Sequence, residues 1–275
     1  MRPPCKVQGT GEVKKGLNMC YGTKARTEMS LRIAKSRGDS SAVEKLNRLL
    51  HPEMDLHFAN GFDHPEQVIY TNDAPREPQL MSWGLIPAWV KDKGQADEIR
   101  NRTLIARGET MFEKPSFRVS AESKRCLVFV EGFYEHHHFG KRTYPYFIHL
   151  KERPHFALAG LWDEWKDKAN GEIRRTFSIV TCEPNDLMRR IHNNPKVDGA
   201  RMPVILTEAE EDQWLAPMNS PADVDALMDL VRPYPTEAMT AYPVAPLLGK
   251  AGTGNTPKAS DPFEYPELLL ADPLQ

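Results

Sequence analysis

The middle of the chain is a succession of short apolar runs rich in aromatic and β-branched residues. "CLVFVEGFYEHHH", "YPYFIHL", "HFALAGLWDEW" and "TFSIVTC" predict four strands. "EQVIYTN" and "PQLMSWGLIPAW" upstream, and "MPVIL" and "TAYPVA" downstream, predict shorter ones. Helical signals sit at both ends. "TEMSLRIAKSRGDSSAVEKLNRLL" predicts one helix before Gly38 and a second ending at Leu50. "EPNDLMRRIH" predicts a helix with proline near its first turn. Thr207 and Glu210 form a Thr-x-x-Glu capping box that opens a helix holding Trp214, and Ser220-Pro221 opens another. Strands and helices do not alternate as βαβ units would. The expected fold is therefore α+β: a single domain on a curled, mostly antiparallel, barrel-like sheet with peripheral helices. Met1 to Asn18 has neither periodicity and predicts a disordered leader; Gly249 to Ser260 predicts a mobile loop.

Charge narrows the functional classes. Lys plus Arg is 36 against 38 for Asp plus Glu, so no bulk charge draws the chain to a polyanion, and such a site must be a local basic patch. Paired cations such as Lys114 and Arg118, Lys124 and Arg125, or Arg189 and Arg190 read as solvated surface. The 4 cysteines, Cys5, Cys20, Cys126 and Cys182, have no Cys-x-x-Cys spacing, which argues against a zinc ribbon or redox motif. Cys126 opens an apolar run and Cys182 closes one, as buried cysteines do. The N-terminus lacks a signal-peptide core, and no apolar run approaches the ~20 residues needed to cross a bilayer. A reducing cytoplasm, no membrane and a monomer are expected.

Several residues invite chemistry. In "GFYEHHH" strand alternation puts His136 and His138 on one face and Glu135 and His137 on the other. Two histidines supply two metal ligands, no third stands at a motif spacing, and neither a metal nor another cofactor is expected. Glu135 follows an apolar run, where desolvation can raise a carboxyl pKa and suit it to acid–base work; an exposed strand end is the plainer reading. His192 ends an amphipathic stretch, as a helix cap or a catalyst. Arg107, in "TLIARGET", carries a planar fork suited to phosphate. Trp83 and Trp89 flank "GLIPA" and suit either core packing or stacking on single-stranded bases.

Together these stretches resemble the SRAP family, the SOS response-associated peptidases or abasic-site processing proteins. The residues that carry the resemblance are Met19-Cys20, Trp83-Gly84-Leu85-Ile86-Pro87-Ala88-Trp89, Ala106-Arg107-Gly108-Glu109-Thr110, Arg125-Cys126-Leu127, Gly132-Phe133-Tyr134-Glu135, His192, and "RMPVIL" from Arg201. They keep the family's order from Met19 to about Leu247. The resemblance implies covalent capture of abasic sites in single-stranded DNA. Cys20 stands at the crosslinking cysteine, Glu135 at the proton-shuttling carboxylate, and His192 at the histidine that acts on the opened sugar. Arg107 and Arg201 match arginines near phosphates, Thr181 a pocket threonine, and Trp83 and Trp89 an aromatic stretch beside the DNA path. Ile105 replaces the family's Asn, for which Asn101 is a candidate substitute, and Tyr21-Gly22 replaces Gly-Arg after the cysteine.

The implied chemistry needs the primary amine of an N-terminal cysteine, and an internal Cys20 offers only an amide nitrogen. The expected working form therefore lacks residues 1–18, with a domain over 19–275. Either Met19 is the true initiator and is removed, or the chain cleaves itself before Cys20. Two other readings stay open. One is a cysteine peptidase acting on other proteins; the other is a degenerate, non-covalent binder of single-stranded DNA.

Overall fold

A computed structural model describes residues 21–51, 54–196 and 199–269. The expected leader and Cys20 lie outside the described residues. The chain begins with strand β1 (Gly22–Ala25), helices α1 (Thr27–Ser36) and α2 (Ser40–Leu49), and strand β2 (Leu56–Asn60). A hairpin of β3 (Glu66–Thr71) and β4 (Ala74–Trp83) precedes α3 (Lys93–Ile99), β5 (Ile105–Arg107) and α4 (Arg118–Ser123). The apolar middle forms β6 (Arg125–Val130), β7 (Gly132–Phe139), β8 (Arg142–Leu150), β9 (Phe156–Lys166) and β10 (Ile173–Cys182). Helix α5 (Asp186–Ile191), the two-residue strands β11 (Met202–Pro203) and β12 (Ile205–Leu206), α6 (Glu208–Leu215), α7 (Pro221–Met228), β13 (Met239–Pro243) and α8 (Pro266–Leu269) complete the order.

Two sheets result. One has the order β13-β8-β7-β1-β2. In the other, β10-β4-β3-β6-β9 closes into a ring because β10 also pairs with β9 from Ile173 to Ile179. Closure removes the unpaired edges of an open sheet. The pairing is antiparallel except where β10 runs parallel to β4 and β5. The expected α+β fold with a curled, mostly antiparallel sheet is what the chain adopts. The capping box at Thr207/Glu210 opens α6 and Ser220-Pro221 opens α7 as the sequence predicts, and a second capping box at Ser220/Asp223 reinforces the latter.

Details differ from expectation; "MPVIL" is two strands, β11 on β10 and β12 on β9. "CLVFVEGFYEHHH" is two strands, β6 in the ring and β7 in the second sheet, with Glu131 alone making the passage. Its amide donates to Lys24 O, and its carboxylate receives Arg26 Nε at 3.0 Å. "PQLMSWGLIPAW" ends as a strand at Trp83. Gly84 then turns the chain at φ 107°, where a Cβ would stand 2.7 Å from Arg100 O, so only glycine fits. The Gly249–Ser260 loop is anchored: Asn255 Oδ1 accepts from Phe58 N, and Ala259 and Ser260 are buried.

The paired cation Arg125 is not surface charge. It is 1% exposed and donates to the carbonyls of Ala121, Glu122, Trp214 and Ala216, tying β6 to the ends of α4 and α6. Cys126 and Cys182 are free, buried thiols, as their apolar contexts predict. Among the described residues no helix is long and apolar enough to cross a membrane.

Candidate active site

The candidate site forms where four segments of the chain converge. β7 supplies Glu135, in register with Tyr146 of β8. β10 supplies Thr181, which pairs with Arg107 of β5 on one side and Pro203 of β11 on the other. The chain leaves β10 at Cys182, and Asn185 caps α5 by accepting from Met188 N at 2.9 Å. His192 is the residue at which α5 ends. Arg201 precedes β11 and closes the circuit, its amide donating to His192 Nδ1 at 3.1 Å.

Glu135 and His192 are both fully buried, with Glu135 Oε2 3.4 Å from His192 Nδ1. Nδ1 also lies 3.2 Å from Arg201 O. A ring nitrogen has one in-plane site, so it either accepts from the Arg201 amide or carries a proton toward oxygen. With the proton on Nδ1, Glu135 accepts and Nε2 offers a lone pair. With Nδ1 bare, the Arg201 amide donates and Nε2 carries the proton. His192 Nε2 is buried without a hydrogen-bond partner among the described residues. The pair is thus built to hold a proton at either of two atoms.

The surrounding charges are ordered by Arg201, which is 4% exposed. Its Nη2 donates to Glu109 Oε2 at 2.6 Å and Thr181 O at 2.9 Å, and its Nη1 to Glu183 Oε1 at 3.3 Å. A guanidinium held this way is a fixed donor array. Arg107, by contrast, is exposed. Ile105 is half-buried on the same face of β5, opposite Ile179. Gly108 permits a close approach: a Cβ there would stand 2.3 Å from Val231 Cγ1 and 3.2 Å from Thr181 O.

The histidine run divides as strand alternation demands. His137 is buried on the Glu135 side, its Nδ1 2.9 Å from Arg190 O. His136 and His138 are half-buried, and desolvation pushes both imidazoles below the usual histidine range, with Glu135 pulling the other way. Among the described residues no group of three or more His, Cys, Asp or Glu could hold a metal ion.

Pairing and hydrogen bonds therefore link Glu135, His192, Thr181, Arg201 and Arg107, whereas the described contacts of three other candidates are with other residues. Trp83 has 0% exposure, donates from Nε1 to Leu104 O at 2.7 Å and stacks on Phe177. Of the two readings of Trp83, core packing is the one its contacts fit, and the place beside the DNA path that the resemblance implies is not among its described contacts. Trp89 is 48% exposed, with Nε1 donating to Pro115 O. Asn101 donates to Asp97 O on the turn after α3, and none of its described bonds reaches the site. Sequence reasoning did not single out Glu109 and Glu183, the carboxylates that fix Arg201. Glu109 carried a signal, since it lies within the Ala-Arg-x-Glu-Thr stretch.

The family model described as SOS response associated peptidase (SRAP) matches residues 25–251. The abasic site processing protein YoqW of Bacillus subtilis is 40% identical over 183 residues, 66% of this chain and 73% of its own. The abasic site processing protein HMCES of Xenopus tropicalis is 28% identical over 221 residues, 74% of this chain and 59% of its own. A crystal structure of a protein from Bacteroides thetaiotaomicron is similar at a TM-score of 0.76 and 37% identity, covering 89% of this chain and 100% of that one. The family match takes in every element that carries Glu135, His192, Thr181, Arg107 and Arg201, and this chain belongs to the SOS response-associated peptidase (SRAP) family.

Proposed function

We propose that this chain processes abasic sites in single-stranded DNA and captures them covalently through Cys20, acting as the first residue of the working form. The carrying observation is the buried Glu135–His192 pair beside the start of β1. Gly22 pairs with Tyr134 and Thr23 with Phe133, so the antiparallel strand runs backward toward Glu135. Covalent geometry holds consecutive Cα atoms ~3.8 Å apart, so residue 20 is within ~8 Å of the Gly22 Cα. In this reading the chain that precedes β1 brings its reactive group to the buried acid–base pair.

The capture balances without a co-reactant. The Cys20 amine adds to the sugar aldehyde, and water leaves to give an imine. The sulfur then adds to the imine carbon while the thiol proton passes to nitrogen, closing a five-membered thiazolidine. An α-amine pKa of ~8 leaves a usable unprotonated fraction at neutral pH. In this reading Glu135 gives a proton to the departing hydroxyl and takes one from the thiol. His192 holds or delivers the proton of the sugar ring oxygen through Nε2. Arg107, exposed beside Thr181, meets a phosphate, and Trp89, also exposed, meets a base. Arg201 acts from within its carboxylate cage, since meeting a phosphate directly would require releasing Glu109.

The working form begins at Cys20, with residues 19–275 as the domain before Met19 is removed. Intact mass of the native protein tests this: a chain retaining Met1 to Met19 contradicts it. For the function, protein beginning at Cys20 is mixed with abasic single-stranded DNA, denatured and run on a gel. A slow band that disappears with Cys20→Ala supports capture. Binding without a band points to a non-covalent module, and turnover of peptides independent of a free amine points to a peptidase.

A further inference from the structure

His192 and Arg201 are nine positions apart, yet His192 Nδ1 accepts from the Arg201 amide at 3.1 Å. The chain between them leaves the site and returns to it. The returning limb is tied by the Arg201 contacts already described. The departing limb is tied elsewhere. Asn193 Oδ1 accepts from His138 N at 2.7 Å, and Asn193 Nδ2 donates to His138 O at 3.0 Å. One side-chain amide thus makes both backbone bonds of a single strand residue, as a neighbouring strand would. The described part of β1 pairs with β7 only from Gly132 to Tyr134, so this bond pair sits beyond that pairing. One turn earlier, His137 Nδ1 lies 2.9 Å from Arg190 O, joining the same strand to the last turn of α5. Arg190 and Asn193 flank His192, and His137 and His138 follow Glu135 within three residues. The two anchors therefore fix the segment that bears His192 to the strand that bears Glu135.

We propose that Asn193 is a positioning residue: its amide clamps the end of α5 to β7 and so sets the His192 imidazole at its working distance from Glu135, with His137 as the second anchor. Helix α5 has six residues, too few to hold its own end rigidly. A ring displaced by ~1 Å from its working geometry can lose ~100-fold in rate. Asn193 is exposed, so replacing it removes the clamp without opening a cavity.

The first test reads His192 directly and does not depend on any activity. The full chain, labelled with nitrogen-15 at histidine, is compared as wild type and Asn193→Ala by imidazole NMR. The clamp predicts that His192 ring signals shift and broaden in the variant, while the melting temperature changes by less than ~2 °C. Superimposable His192 signals overturn it. Asn193→Asp keeps the acceptor for His138 N and loses the donor, and should fall between the two. The second test rests on the function proposed above. If wild type captures abasic DNA, Asn193→Ala slows capture at least ~10-fold with unchanged affinity for an intact strand. An unchanged rate overturns the proposal. A wild type that makes no adduct contradicts the proposed function instead, and the NMR comparison still decides the clamp.

Discussion

Glu135 Oε2 lies 3.4 Å from His192 Nδ1, and neither side chain is exposed to solvent. Taking a charge out of water is costly unless it is paired, and the geometry sets these two groups side by side, with His192 Nε2 unpartnered among the described residues. Glu135→Gln keeps the shape but cannot take up a proton. We expect it to slow capture of abasic DNA by ~100-fold or more, with binding of intact single strands unchanged. Equal rates for variant and wild type, measured by quenching and gel, would remove Glu135 from the mechanism.

Arg125 belongs to the stretch Arg125-Cys126-Leu127, yet its contacts are structural. Four carbonyls at the ends of two helices, α4 and α6, depend on it. Unpartnered buried acceptors cost ~1–3 kcal/mol each. Arg125→Met should lower unfolding free energy by more than ~3 kcal/mol in a urea titration, whereas the folded fraction should capture DNA at nearly the wild-type rate. A stable variant that fails in capture would make Arg125 functional instead.

Thiol reactivity distinguishes the cysteines. Burial raises the Cys126 thiol well above its ordinary value and pushes Cys182 up to about 12, the latter despite Arg201 nearby. Neither is a thiolate at neutral pH, so neither serves as a nucleophile. Iodoacetamide on the native protein should modify neither position, and both should react in denaturant. Native labelling of Cys182, seen by peptide mapping, would contradict the closed packing around Thr181.

Four histidines make the fold acid-sensitive. Desolvation pushes His64, His136, His138 and His155 below the usual range. The unfolded chain binds their protons near pH ~6.5, before the folded protein does. Stability from this source is complete above ~6.5 and declines as pH falls through that value toward the lower folded-state values. The urea midpoint should therefore drop between pH ~7.5 and ~5.5, ahead of carboxylate titration. A flat midpoint across that window would show that these rings reach water freely.

Much of this was legible in the chain. The strand runs, the Thr207 capping box and the buried cysteines follow from local pattern, and Glu135 and His192 stand out by their positions in it. What pattern could not supply was pairing. Strands β1 and β5 are four and three residues long, and β5 is extended because it lies against β10. Periodicity also cannot say that β6 and β7, one residue apart, join different sheets. Trp83 and Trp89 look alike in the motif, but only Trp83 meets Phe177 and the Leu104 carbonyl. The Arg201 cage was hidden for the same reason: Glu109 and Glu183 are far from Arg201 in sequence and meet it only once β10, β11 and the Gly108 turn are assembled.

The most direct measurement is the intact mass of the product formed when protein beginning at Cys20 meets an abasic strand. The account predicts one species equal to protein plus DNA less a single water, stable without added reductant and absent when Cys20 is replaced by alanine. Recovery of only the separate masses, or an adduct that persists in the alanine variant, would contradict capture by residue 20.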